Sequence, residues 1–106
     1  MSVADTRVQL RPQERRIVQD ILAAKIPERD VLVFGSRAGG RAKPYSDLDL
    51  AILGLETLPI ARLAELREAF QESDLPFKVD LVDWNSIEEG FRATIQRTAV
   101  RIQKGL

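Results

Sequence analysis

Four apolar residues in succession, Val31-Leu32-Val33-Phe34, stop at Gly35-Ser36, and this short run constrains the fold more than any other feature of the chain. It is too short for a helix and has no polar face, so it reads as a strand buried on both sides, and such a strand needs a sheet with cover above and below. Downstream, Asp47 to Leu53 alternates, placing Asp47, Asp49 and Ala51 on one face and Leu48, Leu50 and Ile52 on the other. Phe77, Val79 and Leu81 alternate with Lys78, Asp80 and Val82 in the same way, which predicts a third strand presenting Asp80 opposite the larger apolar side chains.

Helical patterns fill the intervals. Pro12 suits a helix first turn, and Ile17, Val18, Ile21 and Leu22 recur at helical spacing until Pro27, predicting a helix over roughly 12–26. Pro59 opens a second, with Ile60, Leu63, Leu66 and Phe70 along one side, closed before Pro76. Ser86 and Glu89 have capping-box spacing, ahead of a stripe of Ile87, Phe91 and Ile95. Val100 and Ile102 either extend that helix or form a short final strand. The glycine- and cation-rich stretch from Ser36 to Ser46 reads as a functional loop with room for one helical turn. The alternation predicts an α+β fold, α/β-like, with a central mixed sheet of three to four strands flanked by helices.

The 106 residues allow one domain, expected to span 1–106, and 44% hydrophobic with 30% charged residues is ordinary globular composition. Sixteen basic residues balance sixteen acidic ones, so no overall field draws the protein to nucleic acid or an anionic membrane, and no direct nucleic-acid binding is expected. Cysteine and histidine are both absent, so chemistry must rest on carboxylates, hydroxyls, lysines and arginines. The start of the chain has no long apolar stretch, which predicts a cytoplasmic protein without a membrane anchor.

The chemically informative string is Phe34-Gly35-Ser36, ten residues, Asp47-Leu48-Asp49-Leu50, and later Val79-Asp80-Leu81. Gly35 allows a tight turn and close backbone approach to a ligand, leaving N–H groups and the Ser36 hydroxyl for phosphate oxygens. Asp47 and Asp49, two apart on a strand, project to one face, where hard oxygens can share magnesium ions. Asp80 on a neighbouring strand is the candidate third carboxylate of a two-metal site. A Gly-Ser after a strand is usually only a turn, and an Asp-x-Asp on an alternating strand is commonly a solvated face. The combination, however, arises by chance in only about a few sequences in ten thousand.

These residues resemble the signature of the DNA polymerase β superfamily of nucleotidyltransferases. The whole chain, including Ser73 to Trp84, looks like the minimal nucleotidyltransferases paired with a small helical HEPN-type protein, a group that includes MntA-like antitoxins. The resemblance implies the nucleotidyltransferase fold and transfer of a nucleoside monophosphate, AMP being the expected one, from a nucleoside triphosphate to an acceptor hydroxyl. It further implies that Gly35 and Ser36 bind the triphosphate, with ATP expected, and that Asp47 and Asp49 hold two Mg2+ ions. Asp80 would join the metal site and help activate the attacking hydroxyl, and the partner would be a HEPN-type protein. Many relatives carry an arginine where this loop has Gly39, so a phosphate contact is either missing or supplied by Arg37 or Arg41. Arg37 is the expected nucleotide-binding cation. Two other functions fit the same residues: a non-catalytic nucleotide-binding module that neutralises a partner by contact, and nucleotidylation of a small molecule such as an aminoglycoside.

Overall fold

The computed structural model describes residues 8–106. Helix α1 runs Pro12–Lys25. Glu14 closes its first turn by accepting the Arg11 backbone N–H at 2.9 Å, and Pro27, which has no N–H to donate, follows its end. Strand β1 (Val31–Phe34) leads into a single helical turn, α2 (Ser36–Gly39), as the loop composition suggested. Strand β2 (Leu48–Ile52), helix α3 (Ile60–Gln71), strand β3 (Val79–Asp83), helix α4 (Glu89–Thr98) and strand β4 (Val100–Gln103) complete the order.

The four strands form one mixed sheet in the order β3-β2-β1-β4. β1 is antiparallel to both β2 and β4, whereas β2 and β3 are parallel, a pairing that requires a crossover, here α3. One face of the sheet presents Val31, Val33, Leu48, Leu50, Ile52, Val100 and Ile102 to Val18 and Leu22 of α1 and Leu66 and Phe70 of α3, making a single apolar cluster. The other face carries α4, whose Ile95 is buried and whose Phe91 meets Phe34 edge-on, with ring centroids 6.0 Å apart. Ala51 is fully buried there, although Asp49 is its neighbour on that face of β2. Among the described residues no helix is long and apolar enough to cross a membrane.

Three local expectations need correction or choice. Ile60 does not line the core: it is the first residue of α3 and is 87% exposed, because the apolar stripe of that helix meets the sheet only from its second turn onward. Ser86 does not cap α4. It closes a 3₁₀ turn, Trp84–Ser86, where Asp83 takes the capping role by accepting the Asn85 N–H at 3.0 Å, and α4 starts only at Glu89. Val100 and Ile102 belong to a strand: both are buried while Arg101 between them is exposed, the period of two that a sheet position imposes.

Candidate active site

Strand register assembles the site. Phe34 pairs with Asp49 across β1 and β2, and Asp49 pairs with Asp80 across β2 and β3. The C-terminal end of β1 therefore lies beside the N-terminal ends of β2 and β3, with Gly35 next to Asp49. Asp47, two residues before Asp49, shares its face one step outside the ladder. All three predicted carboxylates and the Gly-Ser turn thus meet at one end of one face of the sheet.

Gly35 is required here on two grounds. Its φ of 74° and ψ of −153° lie where only glycine is at ease, and a Cβ at this position would collide with Asp49 Oδ2. The chain then enters α2, in which Ala38 and Gly39 donate to the Gly35 carbonyl at 3.1 and 3.0 Å. Gly40, at φ 79°, ends the turn, and the Arg41 N–H returns to the Ser36 carbonyl at 3.1 Å. Ser36 is half-buried at the head of this turn.

The electrostatics mark Asp49 as ligand-seeking. Partial burial pushes the Asp49 carboxyl up to about 6, helped by the negative charges of Asp80 and then Asp47. A group in this state favours a cation or a proton, and carboxylate oxygens are the donors a hard divalent cation takes. Among the described residues no three acidic side chains already close on one point as a complete metal cage. That is compatible with magnesium, which is commonly held by one or two carboxylates with substrate phosphates and water supplying the remaining oxygens. The carboxylates therefore fit the ion.

A stability consequence follows. Because the folded-state value of Asp49 lies above its ordinary 3.8, the folded protein binds this proton more tightly than the unfolded chain, and the associated stability is lost as pH rises through about 6. Asp49→Asn is therefore expected to raise the melting temperature of the ligand-free protein at neutral pH, and to lose that advantage as the pH approaches the ordinary value. Melting curves of both proteins across this range check it; a variant less stable at neutral pH would show that Asp49 is held by contacts other than these.

Arg37, the expected nucleotide-binding cation, is only 4% exposed, and its guanidinium is engaged by backbone carbonyls of the protein itself. Nε donates to the Ser46 carbonyl at 3.0 Å and Nη1 to that of Gln9 at 2.8 Å, while Nη2 reaches those of Lys43 and Pro44 at 3.3 and 3.2 Å. The guanidinium lies over the Phe77 ring, 3.9 Å from its centroid. Burial lowers its pKa from the ordinary arginine value, with Glu14 and Asp47 opposing. Arg41 and Lys43 remain exposed on the loop.

The sequence reading missed Gln9 altogether. Its N–H donates to the Arg37 carbonyl at 2.7 Å and its side-chain oxygen accepts the Ala42 N–H at 2.8 Å, joining the segment before α1 to the Gly-Ser loop. No local pattern announces a polar residue whose partners lie 28 and 33 positions away. Phe77, part of the alternating run that predicts the third strand, lies just ahead of β3 and forms the plate beneath Arg37.

Comparison with known proteins agrees with this geometry. A family model described as polymerase beta, nucleotidyltransferase, matches residues 18–104. The Haemophilus influenzae protein named "Probable protein adenylyltransferase MntA" is 46% identical over 98 residues, covering 92% of this chain and 86% of that one. A chain in the crystal structure of a toxin-antitoxin with AMP-PNP superposes with a TM-score of 0.71 at 27% identity, covering 87% of this chain and 73% of that one. A re-refined structure of a tri-AMPylated Shewanella oneidensis HEPN toxin in complex with an MNT antitoxin gives 0.64 at 25% identity, covering 87% and 70%. A signature carried on adjacent strands and a family match over most of its length together show that this chain belongs to the polymerase β nucleotidyltransferase family.

Proposed function

We propose that this chain transfers AMP from ATP to a hydroxyl of a HEPN-type helical partner, and so serves as the antitoxin of that pair in the cytoplasm, where nucleoside triphosphates are available. The observation that carries the reading is the register Phe34–Asp49–Asp80, which sets the glycine turn beside two carboxylates, with Asp47 one step before the strand. The relatives add support: one is named an adenylyltransferase, one is a toxin-antitoxin with AMP-PNP, and one is an MNT antitoxin with an AMPylated HEPN toxin.

The roles follow from position. Gly35 lets the backbone come close to the triphosphate, and its following N–H groups with the Ser36 hydroxyl receive phosphate oxygens. Asp47, Asp49 and Asp80 would hold Mg2+, which when bound supplies charge neutralisation at the attacking and leaving oxygens. Asp80 is exposed on the edge strand of the sheet, so an acceptor reaches it without displacing any other strand. There the acceptor hydroxyl passes its proton to Asp80, its oxygen bonds to the α-phosphorus, and the bond to pyrophosphate breaks in line. The intact carboxylates count against a module that acts by contact alone.

The test uses the protein co-expressed and purified with a HEPN-type partner, incubated with magnesium and ATP labelled at the α-phosphate. Label is expected on a hydroxyl-bearing side chain of the partner, with release of one pyrophosphate per AMP. Label confined to a small molecule, or no label with a partner still neutralised by binding, would replace this reading with one of its two rivals.

A further inference from the structure

Asp49 and Asp80 sit inside strands, so the sheet itself holds them. Asp47 does not: the β2 ladders end at Asp49 towards β1 and at Leu48 towards β3, and Asp47 belongs to the loop that precedes them. Its placement depends on the residues just before it. Ser46 donates its N–H to the Lys43 carbonyl at 3.0 Å and its hydroxyl oxygen accepts the Lys43 N–H at 2.8 Å, closing a tight turn. That turn is gripped by Arg37, which takes the carbonyls of Lys43, Pro44 and Ser46 together. Arg37 itself projects from the first turn of α2, immediately after Ser36. One buried side chain therefore ties the Gly35-Ser36 turn to the backbone that delivers Asp47, and stands on Phe77 at the entry to the strand that carries Asp80.

We propose that Arg37 is a positioning residue that holds Asp47 in fixed relation to the Gly35-Ser36 turn, so that the phosphate-binding turn and the first carboxylate behave as one unit. The proposal rests on the nucleotidyl-transfer reading for its functional meaning. Its structural content stands apart from that reading: without the clamp, the backbone at Lys43, Pro44 and Ser46 loses the side chain that grips it while β2 keeps its ladders. Lysine cannot substitute, because a compact ammonium lacks the planar fork that reaches four carbonyls at once and lies flat on an aromatic ring.

The experiment compares the full chain with Arg37→Lys, and with Phe77→Leu as a milder change that leaves the four carbonyls gripped but removes the plate. In Arg37→Lys, amide hydrogen exchange across residues 41–47 is expected to rise at least about tenfold, with β2 amides at wild-type protection. Phe77→Leu should move the same amides in the same direction by less, and it carries the exchange test if Arg37→Lys does not fold. Binding of AMP-PNP with magnesium is then measured for Arg37→Lys, Asp47→Asn and the pair. Arg37→Lys is expected to weaken binding alone and to add less than about twofold in the Asp47→Asn background, because both changes act through one carboxylate. Unchanged exchange over 41–47, or losses that multiply in the double variant, would overturn the proposal. Should exchange and coupling behave as expected while Asp47→Asn transfers AMP at the wild-type rate, the clamp stands and the transfer reading falls.

Discussion

Asp47→Asn and Asp49→Asn are expected to leave the fold intact and to reduce magnesium-dependent AMP transfer by about 10²- to 10⁴-fold, the equivalent of several kcal/mol of lost charge stabilisation at the reacting phosphate. Asparagine keeps the shape of aspartate and removes its charge, so packing at these positions is unchanged. Asp49, which contacts its neighbours from within β2, tolerates the neutral side chain because its own carboxyl is already pushed towards neutrality by burial and by Asp80 and Asp47. The loss should therefore appear in transfer, measured as label incorporated per unit time, and not in the thermal melt. Incorporation at the wild-type rate by either variant would remove these carboxylates from the chemistry. A melt that collapses would show instead that their charge holds the sheet together.

Gly35→Ala is expected to be costly in two separate ways. The backbone at φ 74°, ψ −153° is a conformation that alanine adopts only with strain of about 1–3 kcal/mol, which for a domain of this size lowers the melting temperature by at least about 4 °C. The added methyl also collides with Asp49 Oδ2, so either the carboxylate or the turn must shift. A displacement near 1 Å at a reacting centre costs about a hundredfold, and kcat/KM for transfer is expected to fall by at least that much. Gly39→Ala is the control. A Cβ there meets nothing within 4 Å, so this variant should keep near wild-type activity and stability. Equal behaviour of the two alanine variants would show that the close approach of Gly35 to Asp49 has no functional weight.

The core of the site was legible because its parts are local and obey short periods. Val31 to Phe34 announces a strand by apolarity alone, Asp47 and Asp49 share a face by alternation, and Asp80 follows from a second alternating run. The sheet order was not legible. Pairing Asp49 with Asp80 requires β2 and β3 to be neighbours and parallel, a tertiary choice that neither segment encodes by itself. The internal partners of Arg37 are hidden in the sequence for a related reason: its acceptors are carbonyls of Gln9, Lys43, Pro44 and Ser46, which any residue types would supply equally. Ser86 and Glu89 have the spacing of a capping box but lose to Asp83, whose side chain answers Asn85 and also accepts the Leu58 N–H at 2.6 Å from across the molecule. Phe91 and Ile95 looked alike as members of one stripe. The fold divides them: Ile95 is the buried residue of α4, whereas Phe91 lies against Phe34 and is still 38% exposed.

The place of β4 in the sheet bears on how the protein is made. β1 lies inside the sheet, yet its second neighbour is β4, whose Val100 pairs with Val33 from far along the chain. A nascent polypeptide emerging from the ribosome can bring together the Gly-Ser turn and all three aspartates once Asp80 has been released. At that moment the apolar run Val31-Leu32-Val33-Phe34 still has one side open, because Val100–Gln103 has yet to appear. An open edge on so apolar a strand is a template for pairing with another chain, so the interval between the two release events is when co-translational aggregation threatens most.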